Sequence, residues 1–116
     1  MNLKIKICVL LTVLFVSTVS SQYYKDNISV VLFKASFVED VSLKEYKEHN
    51  THIFDFENSK HEEYFTDEGI EFLPTIILYN NGKEIYRVEA GITLRLPEDY
   101  EVEFQKQIDK LLEDRF

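Results

Sequence analysis

The chain has 116 residues, 45% of them apolar and 14% aromatic, with 13 basic against 21 acidic side chains and a net charge of −8. That length holds one small domain, and so apolar a composition excludes a disordered tail. The acid excess repels phosphate backbones and anionic lipid, which argues against nucleic acid and membrane surfaces as partners.

The first 21 residues read as a signal peptide. Lys4 and Lys6 form a positive n-region, and Ile7 to Val16 (ICVLLTVLFV) is an apolar run of ten residues. A run of that length suits a signal h-region and falls short of the roughly 20 residues that span a bilayer. Small residues follow, with Val19 and Ser21 at the −3 and −1 positions of a cleavage site before Gln22. Cleavage there predicts a secretory domain over residues 22–116, free of membrane attachment. It removes Cys8, the sole cysteine, and takes the basic count from 13 to 11 against 21 acidic residues, a net charge of −10. A domain without cysteine has no disulfide and depends on packing alone.

Ile28 to Phe33 (ISVVLF) is a β-branched apolar run, the pattern of a strand buried on both faces. A helix is predicted over Asp40 to His49, where Ser42 and Glu45 have capping-box spacing. Thr51 to Phe56 alternates and predicts a second strand. Ser59 and Glu62 repeat the capping-box spacing and open a helix that stops at Gly69. Leu73-Pro74-Thr75 leads into an apolar strand over Ile76 to Tyr79, and Asn81-Gly82 predicts a hairpin into Glu84 to Val88. Pro97 belongs in the first turn of a last helix, whose apolar stripe is Tyr100, Phe104, Ile108, Leu111 and Leu112. The order β-α-β-α-β-β-α predicts an α/β domain: a mixed four-stranded sheet, parallel early and antiparallel at the hairpin, flanked by helices.

That order, with these residues, resembles the thioredoxin superfamily in its minimal form. Leu73-Pro74-Thr75 is similar to the family's cis-proline motif, Asn81-Gly82 to the hairpin turn after it, and Gly91 to the glycine after the last strand. Phe33-Lys34-Ala35-Ser36-Phe37 resembles the strand end that precedes the family's active site. The likeness covers roughly residues 28–114 and lacks the extra N-terminal strand and helix of full thioredoxins. It places the family's C-x-x-C at Val38-Glu39-Asp40-Val41, with valine at both cysteine positions, and its buried carboxylate at Leu32. Valine is neither nucleophile nor leaving group, so the expectation is a protein that is not an enzyme and needs no cofactor.

By the same resemblance, Leu73 would offer a backbone edge beside Pro74, with Phe37, Val38 and Gly91 lining an apolar groove for an extended polypeptide. The leading expectation is therefore a redox-inactive, protein disulfide isomerase-like binding module of the secretory pathway. Secretion is favoured over retention in the endoplasmic reticulum lumen. Two alternatives stand beside it: a secreted interaction or effector protein that uses the fold as a scaffold, and an acidic, calsequestrin-like calcium buffer. The carboxylates are scattered, and no D-x-D-x-D-G loop is present. His49, His52 and His61 lack the spacing of a zinc site and predict no metal. Ser36 has no base near it in sequence to activate it. Asn27-Ile28-Ser29 is an N-glycosylation sequon just before the first strand.

Overall fold

The computed structural model describes residues 23–114. The expected signal segment, Cys8 and the expected cleavage site lie outside the described residues. Four strands form one sheet: β1 (Ile28–Lys34), β2 (Asn50–Asp55), β3 (Thr75–Asn80) and β4 (Lys83–Glu89). Two α-helices accompany them, α1 (Glu62–Asp67) and α2 (Tyr100–Asp114), together with 3-10 turns at Tyr23–Lys25, Lys44–Tyr46 and Ser59–His61. The strand order is β2-β1-β3-β4. β1 runs parallel to β2 and antiparallel to β3, and β3 runs antiparallel to β4, so the sheet is mixed. The domain is α/β with a mixed four-stranded sheet and two helices.

The two central strands explain the apolar runs. In β1, Ile28, Val30 and Leu32 pack into one core with Ile76 and Leu78 of β3, and Phe104 and Ile108 of α2 close that face. The alternate residues Val31 and Phe33 pack on the opposite face with Ile77, Tyr79, Tyr24, Phe54 and Phe65. Because strand side chains alternate between faces, both central strands must be apolar at nearly every position. In α2 the buried pair Phe104 and Ile108 is flanked by partly buried Tyr100, Leu111 and Leu112, so the five-residue stripe faces the sheet as its spacing requires. Burying each large apolar side chain contributes about 1.5–3 kcal/mol.

The local signals hold at the turns. Asn81 and Gly82 take φ of 50° and 87°, the paired positive values of a tight hairpin. Their amides donate to the carbonyls of Asn27 and Lys25, both at 2.9 Å, which ties the hairpin to the chain entering β1. Gly69 follows α1 with φ 61°, the left-handed residue that ends a helix. Arg87 of β4 donates to the carbonyls of Glu68 at 2.7 Å and Gly69 at 3.4 Å, satisfying backbone acceptors at that helix end.

The first predicted helix is corrected. Between β1 and β2 the chain makes only the single 3-10 turn, with i→i+3 bonds from Tyr46 to Leu43 at 3.0 Å and from His49 to Tyr46 at 2.9 Å. Ser42 accepts from the amide of Lys44 at 3.3 Å rather than capping a longer helix. Leu43 and Tyr46 are buried, and the residues beyond them are polar. Two apolar anchors do not offset the nucleation cost of an α-helix, so one turn is what forms. The order is thus β-turn-β-α-β-β-α. The helix expected from Ser59 also starts later: Asn58 is the cap, accepting from Lys60 at 3.0 Å, and Ser59–His61 is a 3-10 entry to α1.

Candidate functional site

The ends of β1 and β2 and the entry to β3 enclose an apolar groove of about 270 Å³. Phe37 reaches it from the turn after β1, and Phe56 from the end of β2. Phe65 of α1 is its most buried wall. Ile70, Glu71, Phe72 and Leu73 come from the connection between α1 and β3, and Leu94 from the loop after β4. Most of this lining is open to solvent: Phe37 is 62% exposed, Phe56 58%, and Phe72 and Leu94 each 41%. So many large apolar groups around one concavity exceed the scattered exposure of an ordinary surface.

Each wall has a local cause. Phe56 lies two residues beyond the buried Phe54 and continues its strand parity past the end of β2, and its ring meets Phe65 edge-on at 5.6 Å. Its amide donates to the carbonyl of Lys34 at 2.8 Å, extending the β1–β2 ladder to the rim of the groove. The Leu73–Pro74 peptide bond is cis. Thr75, fully buried, donates its hydroxyl to the carbonyl of Phe72 at 2.6 Å, and the carbonyl of Pro74 accepts from Ala90 at 3.0 Å. Both bonds hold the 72–75 segment against the sheet. Leu94 adopts φ 60°, a left-handed conformation unusual for a bulky side chain, and its amide donates to Gly91 at 3.1 Å.

Of the residues expected at this groove, Phe37 and Leu73 line it. Val38, Pro74 and Gly91 are not among its walls. Pro74 is buried, and Gly91 is exposed on the loop that leads to Leu94. Val41 packs against the core on the α2 side of the sheet. The walls that sequence reading missed are Phe56, Phe65, Ile70, Glu71, Phe72 and Leu94. Phe56 and Phe72 carried a usable signal, since each is a large aromatic next to a strand end and outside any helical stripe.

Among the described residues, Glu71 is the one ionisable side chain in the walls of the groove. Ser36 is bonded to Glu57, whose carboxyl is held below its ordinary range first by the Ser36 side chain and then by the Ser36 amide. The three histidines are separated: His52 meets Tyr23 edge-on at 5.3 Å, and His61 accepts from the amide of Asp55 at 3.0 Å through Nδ1. Among the described residues no three His, Cys, Asp or Glu side chains are placed to hold a metal ion. Asn27 is exposed with φ 54°, while Ser29 is fully buried and donates to the carbonyl of Asp26 at 2.6 Å. No family model matches the chain, and no curated protein matches it.

Proposed function

We propose that this is a redox-inactive, thioredoxin-like binding module of the secretory pathway that takes a polypeptide in the groove beside Leu73. The observation that carries the reading is the ring of exposed Phe37, Phe56, Phe72 and Leu94 around one open concavity. Apolar surface concentrated in a groove is the usual mark of a binding site. Apart from the Glu71 carboxylate, the walls of the groove are apolar side chains that offer contact area and shape.

The test is binding of a reduced, alkylated and therefore unfolded polypeptide to the purified protein, compared with its Phe37→Ser and Phe72→Ser variants. Both side chains are substantially exposed, so both variants should melt within a few degrees of the parent while binding is lost. Unchanged binding in both variants would overturn the reading. A companion assay follows insulin reduction by protein carrying Cys8→Ser, with activity at blank level as the expected result. Turnover in that assay would remove the redox-inactive part of the proposal.

A further inference from the structure

A second concavity, of about 440 Å³, has the opposite chemistry to the aromatic groove. Glu39, Asp40, Glu45, Glu98 and Glu101 line it, with Arg95 the single basic side chain among its walls. The two hollows share supports. Phe37 belongs to the groove, and Glu39, two residues on, belongs to the acidic trough; Leu94 belongs to the groove, and Arg95, the next residue, to the trough. A bond from the amide of Leu96 to the carboxylate of Glu39 at 2.7 Å pins these two segments to each other, so the residues that wall the groove and those that wall the trough are held at a fixed spacing. The field of the trough is felt by Tyr100 in its wall. Burial first, then Glu101, Glu45 and Glu39, push that phenol up to about 12.

We infer that the groove and trough together select a polypeptide segment in which a bulky apolar anchor adjoins a run of lysine or arginine. The inference rests on the groove being a polypeptide site and adds the charge of its occupant. Two arguments support it. The aromatic ring desolvates an apolar anchor, while five carboxylates on the wall of the trough favour cations and penalise a like-charged strand. The chain as a whole has a net charge of −8, so approach of a basic segment is steered toward it and approach of an acidic one is opposed. Arginine suits the trough better than a metal ion, because its planar fork engages separated carboxylates without requiring them to converge.

The experiment uses three short synthetic peptides: a Phe-Phe anchor followed by an arginine run, the same anchor followed by a glutamate run, and a Ser-Ser segment followed by the arginine run. Each is titrated into the full chain, into Phe37→Ser and into the double variant Glu98→Lys/Glu101→Lys, at low and at high salt, with melting temperatures recorded for every protein. The first peptide should bind roughly tenfold or more tightly than either of the others. High salt and the double variant should erase its advantage over the glutamate peptide, and Phe37→Ser should erase its advantage over the Ser-Ser peptide. Equal binding of the two Phe-Phe peptides, lost in Phe37→Ser, would overturn the charge selection and leave the groove reading standing. Equal binding of the two arginine peptides, unaffected by Phe37→Ser, would overturn the paired site and reduce the trough to a general cation attractor. No binding by any peptide would remove the groove reading and this inference with it.

Discussion

Tyr79, in the middle of the sheet, donates its hydroxyl to Glu68 just beyond α1 at 2.7 Å, and Tyr24 donates to the other carboxylate oxygen at the same distance. Lys25 completes the set at 2.5 Å. One carboxylate thereby joins the chain entering β1, the end of α1 and strand β3. Burial alone would raise its pKa, but the bonds from Lys25, Tyr24 and Tyr79 outweigh burial and hold it below the ordinary value of 4.5. The unfolded chain therefore binds a proton at higher pH than the folded one. The stability Glu68 contributes is present above about 4.5 and is lost as pH falls through the lowered folded value. His52, held neutral by burial, acts in the same direction from 6.5 downward. Urea midpoints against pH should fall below neutrality and steepen below 4.5. Glu68→Gln should cost about 2 kcal/mol at neutral pH and flatten the lower limb. An acid limb identical in Glu68→Gln and the parent would show that this carboxylate is not its source.

The same cluster sets an alkaline limit. Burial first, then the bonds to Glu68, push the phenols of Tyr24 and Tyr79 well above 10. A raised folded pKa contributes stability that is complete below the unfolded value and lost as pH rises beyond it. Stability should hold up to about pH 10 and decline above it, and Tyr79→Phe should soften that decline. The phenylalanine variant should also lose about 1 kcal/mol at neutral pH, the ordinary net worth of one hydrogen bond. Denaturant titrations at alkaline pH measure both effects, and a decline as steep in Tyr79→Phe as in the parent would count against Tyr79.

Leu94 combines a left-handed backbone with a side chain at the groove. Asparagine tolerates that conformation better than leucine, so Leu94→Asn should recover backbone strain while giving up a half-exposed apolar group. The expected result is stability within about 1 kcal/mol of the parent and weaker capture of the Phe-Phe peptides. A large drop in melting temperature would mean that Leu94 serves the core and not the groove.

How far the sequence could be read depended on whether a segment's apolar residues outnumbered its alternatives. Ile28 to Phe33 admitted only a strand buried on both faces, and Asn81-Gly82 needed positive φ at both positions, so both were legible. The stripe of α2 and the stop at Gly69 were legible for the same reason. The segment between β1 and β2 was not. Its capping-box spacing is a local preference, and the number of side chains it could bury, only Leu43 and Tyr46, decided its length. At the groove, Phe37 and Leu73 were found through the resemblance. Phe56, Phe72 and Leu94 were not, because a concavity made from four separate segments has no linear pattern. The acidic trough was invisible too, since its carboxylates are scattered along the chain and meet only in the fold.

The shortened crossover has a measurable consequence at Ile53. Register places Ile53 beside Leu32, and so on the face that α2 covers elsewhere, yet it is 51% exposed. A full helix between β1 and β2 would have had the length to cover it; one turn leaves it open on an edge strand. Ile53→Thr should therefore cost less than about 1 kcal/mol, while Phe54→Ala, one residue on and buried on the other face, should cost about 3–5 kcal/mol. Denaturant titrations separate the two. Ile53→Lys should also lower any self-association at high concentration, because a charge on an edge strand opposes strand pairing between molecules. A large stability loss in Ile53→Thr would show that the crossover packs over β2 after all.

Val38 and Val41, the two positions that the proposed resemblance sets against the thioredoxin cysteines, have separate environments. Val41 packs against the core that contains Leu43 and Tyr46, and also lines the acidic trough. Val38 is only partly buried, belongs to neither core, and its amide makes a long bond of 3.4 Å to the carbonyl of Ala35. A carboxylate at position 41 would have to leave the apolar contact or be buried among groups that already carry negative charge. Val41→Asp should accordingly lose about 2–4 kcal/mol of stability. Val38→Asp should stay within about 1 kcal/mol of the parent, since its side chain can reach solvent. Because Val38 does not line the groove, that substitution should weaken capture of the Phe-Phe peptides far less than Phe37→Ser does. Thermal melts and the peptide titration test the three variants together. Equal destabilisation by Val38→Asp and Val41→Asp would mean that both valines cap the core, and the distinction drawn between them would fall.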